Sequence, residues 1–190
     1  MGITGTDVTK NVADMILADD NFATIVSAVA EGRRIFDNIT KCIQFLLSSN
    51  LSEVISIFVA TLCGFTILKP AHILFINLVT DSLPALALGA EKAEPDIMDR
   101  KPRKSNEGIF ANGMGANVAY QGIMVSVITL AAYFIGHFME SGKWEITQSP
   151  DGMTIAFLAM SMAEIFHSFN MRSHGSIFKL KTHNMLLWGT

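Results

Sequence analysis

Long apolar blocks separated by short polar ones organise this chain. The first 30 residues are mixed: GITGTDVTKNVADMILADD interleaves Gly, Thr and Asp with one apolar run, Met15-Ile16-Leu17, which predicts a short strand. Asp19-Asp20-Asn21 then offers N-caps for a helix starting near Phe22. From there to Gly64 there is no proline and one glycine, Gly32, a possible break. The first half of this helix, to Lys41, is charged and amphipathic. The second, Cys42–Phe65, is apolar apart from Gln44, several Ser and Asn, and Glu53. Its 24 residues suffice to cross about 30 Å of hydrocarbon. Further spans are predicted at 71–90, 112–139 and 152–171, with the start of another at 185–190. Gly113, Gly115, Gly122 and Gly136 in the third would let helices approach closely.

Composition agrees with this pattern. Half of the 190 residues are hydrophobic and 16% are charged, with a mean hydropathy of +0.38, too apolar for a soluble domain. The fold class is therefore mostly α, a polytopic membrane protein. The N-terminus has no basic stretch leading into an apolar core, so no secretory signal is read there. Basic residues form no stripe with interleaved aromatics, so nucleic acid is not an expected partner; membrane lipid is. Cys42 and Cys63 lie on one helix, roughly 30 Å apart at 1.5 Å per residue, too far to bridge. Of the 14 Lys and Arg, only Lys69 and Lys143 fall on one side of the spans. The other side, which holds the N-terminus and the 91–108 loop, is predicted to be cytoplasmic.

Three of the 17 acidic residues fall inside spans: Glu53, Asp81 and Glu164. Each costs about 2.5–3.5 kcal/mol at the bilayer centre on insertion scales, and each lies near the middle of its span. Asn50 and Glu53 are three apart; Asn77, Thr80 and Asp81 are spaced i, i+3, i+4 on one helical face. Pro84 has no N–H for the carbonyl of residue 80, so Thr80 offers a hydroxyl and a freed carbonyl. Oxygen donors of this kind suit a hard cation such as Ca²⁺. A proton relay and a purely structural hydrogen-bond cluster are the alternatives. Ser48, Ser49, Ser52 and Ser161 read as interhelical glue, His167 as interfacial, and Met153, Met160 and Met162 as packing.

The stretches GTDVTKNVADMILADDNFATIVSAVAEGRRIFDNI, SSNLSEV, NLVTDSLPALALG and PDIMDRKPR, in this order, resemble P-type cation pumps of the calcium-transporting class. The resemblance covers the whole chain. It implies that residues 1–30 end a haloacid-dehalogenase-like α/β phosphorylation domain. Residues 31–190 would then be the C-terminal transmembrane portion, with helices resembling five to eight of such a pump. It implies a cation site formed by Asn50, Glu53, Asn77, Thr80, Asp81 and Glu164. Ca²⁺ is then the transported ion, and Asn77, where sodium/potassium pumps carry Asp, favours calcium. A pump for sodium, proton or potassium, a channel-like subunit and an inactive remnant are the alternative readings.

Asp-Lys-Thr-Gly-Thr, the family's phosphorylated motif, does not occur here. The resemblance therefore implies that the chain alone does not hydrolyse ATP. The ATP and Mg²⁺ sites, and the missing N-terminal pump domains as partners, lie outside it. Stability without helices one to four is expected to be marginal. The 91–108 loop, with Asp96, Asp99 and Arg100, is expected to dock on the phosphorylation domain, the alternative being a solvated linker.

Overall fold

The computed structural model describes residues 1–102, 108–110, 113–173 and 184–190. They form two units, Met1–Asp37 with Lys92–Pro102, and Asn38–Glu91 with Arg103–Thr190. The elements are helices throughout: α1 (Asp7–Val12), α2 (Ala23–Leu62), α3 (Pro70–Phe75), a π-helical turn (Ile76–Asp81), α4 (Ser82–Gly89), α5 (Met114–Ser141), α6 (Pro150–Asn170) and α7 (Met185–Gly189). No strand occurs among the described residues, so the one expected at Met15–Leu17 is absent. Leu17 instead closes a loop, its carbonyl accepting the Gly2 amide at 2.7 Å.

In the first unit, Asp20 sits at φ 50. Its carboxylate accepts the Ile3 and Thr4 amides, at 3.0 and 2.8 Å, and the Thr4 hydroxyl at 2.6 Å. The Thr4 hydroxyl, with these amides, outweighs the opposing effect of desolvation and holds its carboxyl down at about 2. Asn21 caps α2 through the Ala23 amide at 3.0 Å. Arg33 donates to the carbonyls of Ile97 and Arg100, at 2.8 and 2.9 Å. Arg100 pairs with Asp37, Glu94 and Asp96 at 2.5–3.0 Å. Within this unit, Arg33 and Asp37 of α2 hold the 97–100 part of the loop.

Among the described residues, four helices are long and apolar enough to cross a membrane: Ala23–Leu62, Pro70–Gly89, Met114–Ser141 and Pro150–Asn170. α2 runs unbroken through Gly32. Its helical backbone is tolerated there because glycine costs only about 1 kcal/mol relative to alanine.

In the second unit, α5 and α6 pack backbone to backbone. A Cβ on Gly136 would lie 2.8 Å from the Gly152 Cα, and one on Gly122 would lie 3.0 Å from Leu51. Gly115 meets nothing within 4 Å, and Gly113 sets the α5 N-cap at φ +80. Around this seam Tyr133, Phe65, Ile76, Met153 and Met160 form a buried core, with Phe65 and Tyr133 stacked at 4.4 Å. Met162 is exposed, unlike Met153 and Met160. Cys42 donates to the Ala85 carbonyl at 3.1 Å, and both cysteines are free.

A buried polar knot closes one end of this unit. Arg172 donates twice to Glu91, at 3.0 Å each, and Asn184 donates to Glu91 and to the Ala87 carbonyl, at 2.8 Å each. Asn38 donates to the carbonyls of Gly89 and Glu91, and Lys41 to that of Arg172 at 2.9 Å. Burial pushes the Glu91 carboxyl up, but Arg172, Asn184 and the Lys41 charge outweigh it and hold it below its ordinary 4.5.

Arg172→Ala takes the guanidinium from the buried Glu91 carboxylate and should cost about 3–5 kcal/mol in thermal or denaturant unfolding. The stabilisation from Glu91 is complete above pH 4.5 and is lost as pH falls through its lowered value, so wild type but not Glu91→Gln should lose it there. Gly136→Ala should cost about 1–3 kcal/mol through overpacking, while Gly115→Ala, in open space, should not destabilise.

Candidate cation site

Three helices bring acids together inside the membrane-length bundle. α2 supplies Ser49 and Glu53, one turn apart on one face. The π-turn supplies Asn77, Thr80 and Asp81, and α6 supplies Glu164. Glu53, Thr80, Asp81 and Glu164 are all buried, Glu164 with no exposed surface at all.

Ser49 is the hinge of the arrangement. Its hydroxyl lies 2.8 Å from Asp81 Oδ1 and 2.6 Å from Glu164 Oε1. The Thr80 hydroxyl lies 3.2 Å from Glu164 Oε2 and 2.9 Å from the Ile76 carbonyl. Each hydroxyl carries one hydrogen and meets two acceptors. The cluster is therefore short of donors and rich in oxygen lone pairs. Among the described residues, Asp81 Oδ2 has no hydrogen-bond partner despite its burial. One turn away, the Asn77 amide donates to both Glu53 oxygens at 3.0 Å and to the Ile73 carbonyl at 3.0 Å.

Five of the six residues expected from the sequence meet in this way. Asn50 does not: its side chain is exposed and its amide donates to the Leu46 carbonyl of its own helix at 2.7 Å. His167, expected at an interface, is buried, its Nε2 3.3 Å from the Ser48 hydroxyl and its ring beside Phe45. Ser49 was read as glue between helices; its i, i+4 relation to Glu53 was the signal that places it on the site face. Among the described residues no three His, Cys, Asp or Glu side chains stand close enough to hold a metal ion by themselves. A shell here draws on hydroxyl, amide and backbone oxygens as well as carboxylates, the donor set that hard cations take. The unpartnered Asp81 oxygen fits a ligand of that kind.

The family model for the C-terminus of cation-transporting ATPases matches residues 65–190. The chain belongs to the cation-transporting ATPase family. Relatives are similar over nearly the whole length of this chain. The calcium-transporting ATPase 1 of Bacillus cereus is 44% identical, over 95% of this chain and 22% of its own. The calcium-transporting ATPase of Bacillus subtilis is 44% identical, over 94% and 20%. The endoplasmic-reticulum-type calcium-transporting ATPase 3 of Arabidopsis thaliana is 34% identical, over 97% and 21%. The chain thus spans about a fifth of the length of these relatives. In the cation-transporting ATPase family, four apolar helices make this portion an integral membrane protein.

Replacing Asn77 by Asp sets a second carboxylate against Glu53 in place of the amide that bonds both its oxygens. The variant should lose about 1–3 kcal/mol at neutral pH by thermal unfolding in lipid.

Proposed function

We propose that this chain is the cation-binding membrane portion of an ATP-driven calcium pump. The observation that supports it is the convergence of Asp81 and Glu164 on Ser49 between three helices, with the Thr80 hydroxyl on the other Glu164 oxygen and one buried Asp81 oxygen left over. A pair of acids buried in this way costs several kcal/mol unless a counter-charge arrives. The relatives named above are calcium-transporting ATPases, and the oxygen-only donor set is the one Ca²⁺ selects.

In this reading calcium is the cargo. Glu53, Asn77, Thr80, Asp81 and Glu164 hold it, and Asn50 joins them once its side chain turns from its own helix. The N-terminus and the 91–108 loop face the cytoplasm. Residues 1–30 end the phosphorylation domain, whose remainder, with the ATP and Mg²⁺ sites, lies in other parts of the pump. Phosphorylation moves that domain, the stalk helix α2 passes the movement to the site, and calcium leaves on the far side. Protons return on the vacated carboxylates.

The test is ATP-driven calcium uptake into vesicles by the full-length pump carrying this chain. Wild type should accumulate calcium, and Asp81→Asn and Glu164→Gln should each abolish uptake while the protein still inserts. Unchanged uptake in Asp81→Asn would falsify the site, and sodium or potassium uptake in place of calcium would refute the cargo.

A further inference from the structure

The site-bearing span carries a backbone feature that its sequence spacing does not require. Between α3 and α4 the helix widens to a π-turn at Ile76–Asp81. Such turns are rare and cost more than α-helix, so something local must hold this one open. Pro84 explains the loss of one amide, at the carbonyl of residue 80. It does not explain the carbonyls lower in the turn.

Two hydroxyls occupy those carbonyls. Thr80 donates to Ile76 O at 2.9 Å, four residues back. Ser82 donates to Asn77 O at 2.8 Å, five residues back. The backbone amide of Ser82 goes instead to Val79 O, three residues back. In a π-helix an i+5 amide would meet the Asn77 carbonyl. Here the Ser82 side chain takes over that bond, which its own amide has given up.

We infer that Ser82 is a positioning residue of the cation site, acting through the Asn77 backbone. It rests on the reading of this cluster as a calcium site. Two contacts on α2 show what is at stake. Asn77 meets Glu53, and Asp81 meets Ser49, one α2 turn apart. Both hold only with the wide turn between them. If the turn tightens to α-helix, one residue leaves it. Asn77 then rotates against Pro84 by the angle of one residue, about 100° at 3.6 residues per turn. One of the two side chains must then leave its partner. Without the Ser82 hydroxyl, Asn77 O lies in a span with no water to replace the bond, and tightening is the available relief.

Ser82 itself is exposed and touches neither carboxylate. A role through the backbone therefore separates cleanly from ligation. The experiment uses the full-length pump carrying this chain, in lipid bilayers. Calcium titration calorimetry gives affinity, solid-state NMR gives the Asn77 carbonyl shift, and thermal unfolding gives stability.

Ser82→Ala should move the Asn77 carbonyl shift toward that of an unbonded carbonyl and weaken calcium binding roughly two- to tenfold. Ser82→Thr should restore both, because its hydroxyl can make the same bond. An unmoved carbonyl in Ser82→Ala overturns the inference. So does a moved carbonyl with unchanged affinity, and so does a loss of affinity that only follows lost thermal stability and that Thr fails to rescue. Asp81→Asn separates the two levels. If wild type binds calcium and Asp81→Asn does not, the site stands, and Ser82 is judged on its own variants. If wild type binds no calcium, the site reading fails and the inference goes with it.

Discussion

A carboxylate placed among membrane-spanning helices must be given its solvation by the protein. That constraint shapes the second unit. Asp81 and Glu164 come from different helices, and a third helix offers them one hydroxyl in common, Ser49. Glu53 shares the two hydrogens of a single amide with the Ile73 carbonyl. These are minimal arrangements. They hold the acids without filling every lone pair, which supports the proposed cation site over a settled structural cluster. The same rule produces the opposite result in the Glu91 knot, where a guanidinium gives two hydrogen bonds and an amide a third to one carboxylate, with the Lys41 charge beside it.

Much of this was legible in the residues, for a physical reason. An acid in an apolar span is costly, so Glu53, Asp81 and Glu164 stand out without any structure. Span limits were equally readable, because the apolar runs end at Lys69-Pro70, Gly142 and Ser149-Pro150, where a helix cannot easily continue or begins afresh. What was hidden depends on partners distant in sequence or on backbone geometry. Ser49 is an ordinary serine until Asp81 and Glu164 arrive on it from 32 and 115 residues away. Spacing assumes 3.6 residues per turn, so it cannot show a π-turn. The direction of the Asn50 amide is hidden too, since the same i−4 carbonyl is available to any helical asparagine.

The absent strand and the placement of the 96–100 segment have a common origin. Met15-Ile16-Leu17 has strand-like residues, but a strand needs a neighbour to pair with, and none is present among the described residues. The Asp96–Arg100 segment reads as a charged loop. Arg33 and Asp37, one turn apart on α2, supply the carbonyl donor and the counter-charge that fix it. Local composition names a loop's character; the helix face beside it decides where it rests.

The glycine seam between α5 and α6 has a mechanical consequence. With Gly136 against Gly152 there is no side chain between the two backbones to shear or re-pack. The hairpin therefore transmits displacement as one stiff slab. Glu164, three turns along α6 from the seam, cannot shift alone; α5 must travel with it. Any cycle that opens the site on alternate sides would move α2 and the π-turn past a fixed wall rather than draw the wall inward. Lipid-facing residues of α5, remote from the cation, would then set how freely that wall tilts, and so tie the turnover of the site to the thickness of the surrounding bilayer.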